Sequence, residues 1–302
     1  MDWKHQILNR KGALDKPPVN YSSEEANQLI YDALSDNKAI MIARFGAFEL
    51  GITTSVFTPY NLRNLLRLLK GDIATLGWNS KLANQFCNNA GFFPNTYQQI
   101  ARFAHLLVED MSQVDILASW LANEKLFSDK LMHAKKIRRI DLEPFNYNIP
   151  WTKVLRGKKI LVIHPYEDSI KHQWENRDKL FNNPYILPEF DLKILKAVQS
   201  AACNQTPFKT WFEALDYMKD QINLIDFDIA LIGCGAYGFH LAAHIKRIGK
   251  KAVHIGGVLQ MLFGIVGKRW ENKVSFINDN WIRPLPSDII DNANSIENGC
   301  YW

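Results

Sequence analysis

Gly233-Cys-Gly235-Ala-Tyr-Gly238 spaces its glycines as G-x-G-x-x-G, directly after the apolar segment 228–232 and at the start of a helical pattern. Glycines let a backbone turn sharply and approach a ligand without a Cβ clash. The amides and dipole of the helix that follows favour phosphate. A tight strand-to-helix turn with no ligand fits the same residues. A dinucleotide would also ask for an acid about 20 residues further on, to hold the ribose hydroxyls. The corresponding strand here ends in His254-Ile-Gly256-Gly257, without an acid, so NAD is not expected.

Further residue sets could do chemistry. Arg44-Phe-Gly46-Ala-Phe-Glu49 follows an apolar strand pattern, so Arg44 and Glu49 fall at the carboxyl edge of a sheet, where open α/β folds bind ligands. Arg44 could hold phosphate or pair with Glu49, and Glu49 could bind a metal or accept a proton. Asp141-Leu-Glu143 spaces its carboxylates to one side of an extended chain, as a hard cation would want. His164 ends a strong strand and could act as a base near neutral pH, or be held in the core. Gly264, Gly267, Lys268, Arg269 and Trp270 make a basic turn suited to a phosphate or to a sugar stacked on indole. A surface loop with a packed Trp fits equally. His240 and His244 have helical metal-ligand spacing, but no third ligand accompanies them, and a solvated or cleft-facing polar stripe is favoured.

These residues need elements to position them. After a tail to Pro18, Ser22 and Glu25 form a capping box that opens a helix through Leu34. Strands are expected at 38–44, 114–119, 137–140, 159–164, 192–199, 228–232 and 252–255. Helices are expected over 80–110, broken near Gly91 and Pro94, and over 168–180, 208–224 and 237–249. On the last, Leu241, Ala242, Ile245 and Ile248 share the apolar side. The alternation predicts an α/β, Rossmann-like fold with a mainly parallel sheet flanked by helices. Two α/β halves around a cleft, 1–150 and 151–302, are favoured over one continuous sheet. The Pro- and aromatic-rich stretch 141–157 reads as a linker or a cleft-lining loop.

The chain has 302 residues, 47% of them hydrophobic, enough to bury a core without disulfides or metal staples. Its 4 cysteines are scattered without C-x-x-C spacing, which points to reduced thiols in a cytoplasmic setting. The net charge of +5 sits in short clusters such as Lys246–Arg247 with Lys250–Lys251, compatible with anionic substrates or an anionic membrane surface. No basic stripe is interleaved with aromatics, so nucleic acid is not expected as a partner. No apolar run reaches the roughly 18–20 residues that span a bilayer, and the N-terminus lacks a signal-peptide core. Peripheral contact at the inner face of the membrane is compatible with this.

The run DIALIGCGAYGFHLAAHIKRIGKKAVHIGGVLQMLFGIVGKRW resembles the C-terminal half of GT-D-type glycosyltransferase-like proteins of bacterial polysaccharide loci. RFGAFEL, LEPF leading to GKKILVIHPYEDSI, and ENGCYW are similar to the same group, so the resemblance spans most of the chain from Lys38 onward. It implies a Rossmann-like transferase that moves a sugar from a nucleotide-sugar donor to a glycan or lipid-linked acceptor in surface polysaccharide synthesis. It also implies an R-[FY]-G-D-G-E element whose acids hold a divalent metal on the diphosphate. Arg44, Gly46 and Glu49 match that element, whereas Ala47 replaces its Asp and Phe48 its second glycine. Mn²⁺ or Mg²⁺ is expected only if another acid, such as Glu143, joins Glu49. The nucleotide sugar is expected on Arg44, Gly46, Gly233, Gly235, Tyr237, Gly238, Gly256, Gly257, Arg269 and Trp270, with Glu49 or His164 as the catalytic base. A non-catalytic binder of nucleotide sugars and, with less support, a nucleotide-dependent oxidoreductase are the competing readings.

Overall fold

The structure, a computed structural model, describes residues 15–70, 73, 76–271 and 276–302. Most of the tail expected before Pro18 lies outside the described residues. The strands are β1 (Ile40–Ala43), β2 (Ile116–Ser119), β3 (Lys135–Arg138), β4 (Lys159–His164), β5 (Asp191–Lys196), β6 (Ile229–Ile232) and β7 (Lys251–His254). The central strands are short runs of Ile, Val, Leu and Ala, the composition of strands covered on both faces. They form one seven-stranded sheet in the order β3-β2-β1-β7-β6-β4-β5, every pairing parallel. The sheet is therefore continuous across residues 1–150 and 151–302, and β7 from the second stretch pairs with β1 from the first through Met41 and Ala252. The edge strands KKIR and DLKILK differ from the rest, being lysine-rich and partly exposed, which discourages further pairing.

Side chains alternate between the faces of the sheet and seed separate cores. Met41, Ala43, Leu161, Ile163, Ala230, Ile232 and Ala252 face one layer, with the helices Ala47–Phe57, Ser80–Ala90, Tyr97–Asp110, Trp211–Asn223 and Gly238–Arg247. Ile42, Ile160, Val162, Ile229, Leu231 and Val253 face the other, with the helices Ser23–Ser35 and Glu167–Trp174. The capping box forms as its sequence suggests: Glu25 N–H donates to Ser22 Oγ, and Ser22 N–H to Glu25 Oε2 at 2.8 Å.

The stretch 141–157 does not line the cleft. It folds as 3₁₀ turns against the helix Ser23–Ser35, where Trp151 is fully buried and its N–H donates to Asn27 Oδ1 at 2.7 Å. The third strand begins and ends earlier than expected, because Asp141 turns back to accept from Arg138 N–H at 3.0 Å. Helices Ala47–Phe57 and Leu62–Lys70 were not anticipated. In Gly238–Arg247, Leu241, Ala242 and Ile245 are buried as expected, but Ile248 lies beyond the helix end and is partly exposed.

Candidate functional site

The carboxyl ends of the central strands open on a cavity of about 200 Å³. Arg44 follows β1, Trp120 follows β2, His164 ends β4, Gly233 follows β6 and His254 ends β7, and all of them line it. Parallel strands aim their last residues the same way, so the sheet gathers groups remote in sequence at one edge. Gly46, Glu49, Gly235, Tyr237, Gly256, Gly257 and Arg269 also line the cavity, so most of the residues singled out in the sequence come together.

Arg44 lies at the centre. Its Nε donates to Ile255 O at 3.0 Å and its Nη1 to Phe45 O at 3.4 Å, and the guanidinium sits 6.0 Å from the Trp120 ring centroid. Among the described residues it has no ion pair, and burial pulls it below its ordinary pKa, with Arg139 and Arg269 adding to the fall and Tyr301 and Glu49 opposing it. A half-buried guanidinium satisfied by carbonyls and not by a carboxylate is an incomplete charge. Gly256 makes room for it. Its φ is +78°, and a Cβ there would meet Arg44 Nη2 at 1.9 Å. Gly256→Ala should therefore cost about 1–3 kcal/mol in denaturant unfolding and displace Arg44; unchanged stability would show that the contact yields freely.

Glu49 stands in the first turn of the helix Ala47–Phe57, whose N-cap Gly46 offers no side chain. A Cβ on Gly46 would lie 1.8 Å from Glu49 Oε2, so the carboxyl folds back over that glycine. Burial pushes the Glu49 pKa up, against its own backbone amide and Arg44, and Glu297 adds to the rise. The result is a carboxyl that gives up its proton less readily than a free one, facing the cavity.

His164 differs from the expected base. Its Nδ1 accepts from Tyr166 N–H at 3.0 Å, and burial takes its pKa down to about 3. The neutral ring therefore carries its proton on Nε2 and can only donate toward a ligand. His254 is held neutral too, its pKa lowered to about 3 by burial first and Arg44 second.

The glycine turn proves to be shaped first by the protein itself. A Cβ on Gly233 would meet Gly256 O at 2.6 Å, one on Gly235 would meet Ala90 O at 2.8 Å, and one on Gly238 would meet His254 Nε2 at 2.5 Å. Three of the turn's amides are already used, Gly233 N–H on Ile163 O, Tyr237 N–H on Cys234 O and Gly238 N–H on Gly235 O. Gly238 does not line the cavity, because it packs the helix start against β7. Tyr237 does, but Ser200 Oγ donates to Gly91 O and so takes the Tyr237 hydroxyl as its donor at 3.0 Å, while Trp211 stacks on the ring.

The second arginine arrives with the chain's last described segment. Arg269 Nη1 donates to Tyr301 Oη at 3.1 Å and the guanidinium pairs with Glu297. The close approach of this segment explains Gly257 and Gly267. A Cβ on Gly257 would meet Tyr301 Cε1 at 2.5 Å, and one on Gly267 would meet Cys300 O at 2.6 Å. Trp270 is outside the lining and packs beside Tyr301 with ring centroids 6.0 Å apart. Trp120, Ser200, Glu297, Tyr301 and Trp302 line the cavity without having been singled out. Trp120 had a signal, its place after a strand; the others come from loops that no local pattern marks.

Among the described residues, the acids singled out for a metal lie apart and serve other partners. Glu143 is outside the lining and pairs with Arg139 at 2.8 Å, while Asp141 serves Arg138, Ser23 and Tyr147. Among the described residues no group of three or more His, Cys, Asp or Glu is arranged to hold a metal. His240 and His244 part company as well. His240 Nδ1 meets the buried Asp110 at 2.7 Å, and His244 Nε2 meets Asn223 at 2.9 Å.

No protein-family model matches the chain, and no curated protein matches it by sequence. The chain is similar to solved structures of domain of unknown function 1792. One, substituted with selenomethionine, is 10% identical with a TM-score of 0.39, covering 94% of this chain and 96% of that one. Another, described as having a distinct glycosyltransferase fold, is 9% identical with a TM-score of 0.37, covering 94% and 96%. No helix among the described residues is long and apolar enough to cross a membrane.

Proposed function

We propose that the cavity binds the diphosphate and sugar of a nucleotide-sugar donor and transfers the sugar to an acceptor hydroxyl. The observation that carries this reading is Arg44, a half-buried guanidinium with no ion pair among the described residues, facing a cleft with Glu49 and Arg269. An anion completes that charge, and a leaving diphosphate is such an anion. The cavity is below the ~300–1,000 Å³ of a typical ligand pocket, so the nucleoside extends through its mouth.

In the reaction, the acceptor oxygen bonds to the anomeric carbon as the carbon–oxygen bond to the diphosphate breaks. Glu49 takes the acceptor proton. Arg44 and Arg269 meet the charge that develops on the diphosphate, and His164 Nε2–H adds a neutral donor. The resemblance of RFGAFEL and GCGAYG to GT-D-type proteins supports a role in surface polysaccharide synthesis in the cytoplasm. A metal ion would meet a poor set of donors here, and no step above depends on one.

Ala47, where the resembling proteins place Asp, favours a second reading, a member that binds the donor without turnover. An oxidoreductase lacks support, since His254-Ile-Gly-Gly still offers no ribose-binding acid. A thermal-shift panel of nucleoside diphosphate sugars, with and without Mn²⁺, tests the binding, because a ligand raises apparent stability by mass action. A shift with a UDP- or GDP-sugar followed by release of the diphosphate is expected. A shift with no release leaves the binder, and no shift with any donor sinks both.

A further inference from the structure

The helix Leu62–Lys70, LRNLLRLLK, is the most strongly two-sided among the described residues, and its apolar side faces outward. Asn61 caps it, accepting from Asn64 N–H at 2.8 Å. Asn64 and Leu68 are the buried residues and fasten it to the protein. On the far side, Leu62 is 72% exposed and Leu65, Leu66 and Leu69 are 42%, 48% and 48% exposed. Their i, i+3, i+4, i+7 spacing draws one continuous leucine stripe along the helix. Arg63, Arg67 and Lys70 run down one flank of that stripe, and the helix contains no acid. Tyr60, also 72% exposed, stands at its start.

We propose that this helix docks the protein on an anionic lipid surface, lying in the interface with its leucines in the acyl boundary and its cations among the headgroups. Charge decides between occupants. A second copy docked stripe to stripe about a two-fold axis would bring Arg63, Arg67 and Lys70 up against their own counterparts. An anionic headgroup layer matches them, and long basic side chains reach it while their stems cover apolar surface. Tyr60 is suited to the same depth, with a ring for the apolar side and a hydroxyl for the wet one. Among the described residues none of these cations is ion-paired; Arg67 Nη1 reaches only Asn64 Oδ1, at 3.5 Å. The docking goes beyond the transfer reading and holds whether or not the cleft turns over.

Co-sedimentation of the full chain with phosphatidylglycerol–phosphatidylcholine vesicles tests it, with pure phosphatidylcholine vesicles in parallel. The chain is expected on the anionic vesicles, released by salt, and largely absent from the neutral ones. Leu62→Ser with Leu66→Ser should lower the partition coefficient at least about tenfold. Arg63→Gln, Arg67→Gln and Lys70→Gln together should lower it about a hundredfold, each cation being worth about fivefold. Leu62, Leu66, Arg63 and Lys70 are exposed and Arg67 half-buried with one long contact to Asn64, so the unfolding temperature of both variants should stay close to the parent's. Failure of the parent chain to bind anionic vesicles, or binding that neither variant weakens, overturns the proposal. So does a dimer in light scattering that the leucine variant dissociates, or a leucine variant that loses stability, since the stripe then belongs to a protein contact.

Discussion

Replacing Arg44 with Met should weaken donor binding about 10²–10³-fold, the loss expected when one member of a buried charge pair is truncated, while leaving folding stability unchanged or higher. The two halves of that expectation have the same origin. Without an anion, Arg44 is a half-buried charge that hydrogen-bonds to the carbonyls of Ile255 and Phe45 and has no ion pair among the described residues, and exchanging such charges for apolar groups of similar volume is often neutral or stabilising. With the donor bound, the same guanidinium faces a diphosphate in a dry site. Calorimetric titration of the variant with the donor identified by thermal shift, alongside denaturant unfolding, reads both. Unaltered affinity would remove Arg44 from the binding site, and a large loss of stability would make it a structural strut.

Glu49→Gln should lower kcat by about 10²–10⁴-fold with little change in donor affinity, the span expected for loss of a positioned base. The pH profile separates this from a structural role. The carboxyl must be ionised to accept a proton, and burial raises its pKa. Parent activity should therefore fall as pH drops through that raised value, and the variant should lose this acid limb. Stability carries the opposite sign. Because the folded chain holds the Glu49 proton more tightly than the unfolded chain does, stability should decline as pH rises through the same interval, and Gln should remove that decline. Transfer that continues undiminished in the variant would dismiss Glu49 as the base.

Much of the sheet was legible because its strands are short apolar runs separated by helical periods. The helix Ala47–Phe57 was not, because AFELGITTSVF is apolar nearly all round and holds Gly and β-branched residues, so neither period nor propensity announces it. The helix Leu62–Lys70 does carry a clear leucine period in its sequence. In the cleft, Arg44, Gly46, Glu49 and Gly233 were legible since each follows an apolar strand within a few residues. Glu297 and Tyr301 were not, because their place beside Arg269 is set by how the final loops return across the sheet edge. In the glycine turn, a Cβ at Gly233, Gly235 or Gly238 would meet neighbouring protein atoms, a packing demand that the spacing alone does not announce.

The place of β7 between β1 and β6 has a consequence for biosynthesis. During translation, β1, β2 and β3 can pair with one another, yet the inner edge of β1 stays bare until residues 251–254 have left the ribosome. Its natural partner is about the last strand to be made, so the join is a slow, long-range event of the kind that invites strand capture by other chains. Arg44 and Gly256 meet only at that join. A nascent chain stalled before β7 should thus be both aggregation-prone and without a cleft, and the protein should depend on holding chaperones more than its stable, lysine-guarded outer edges suggest.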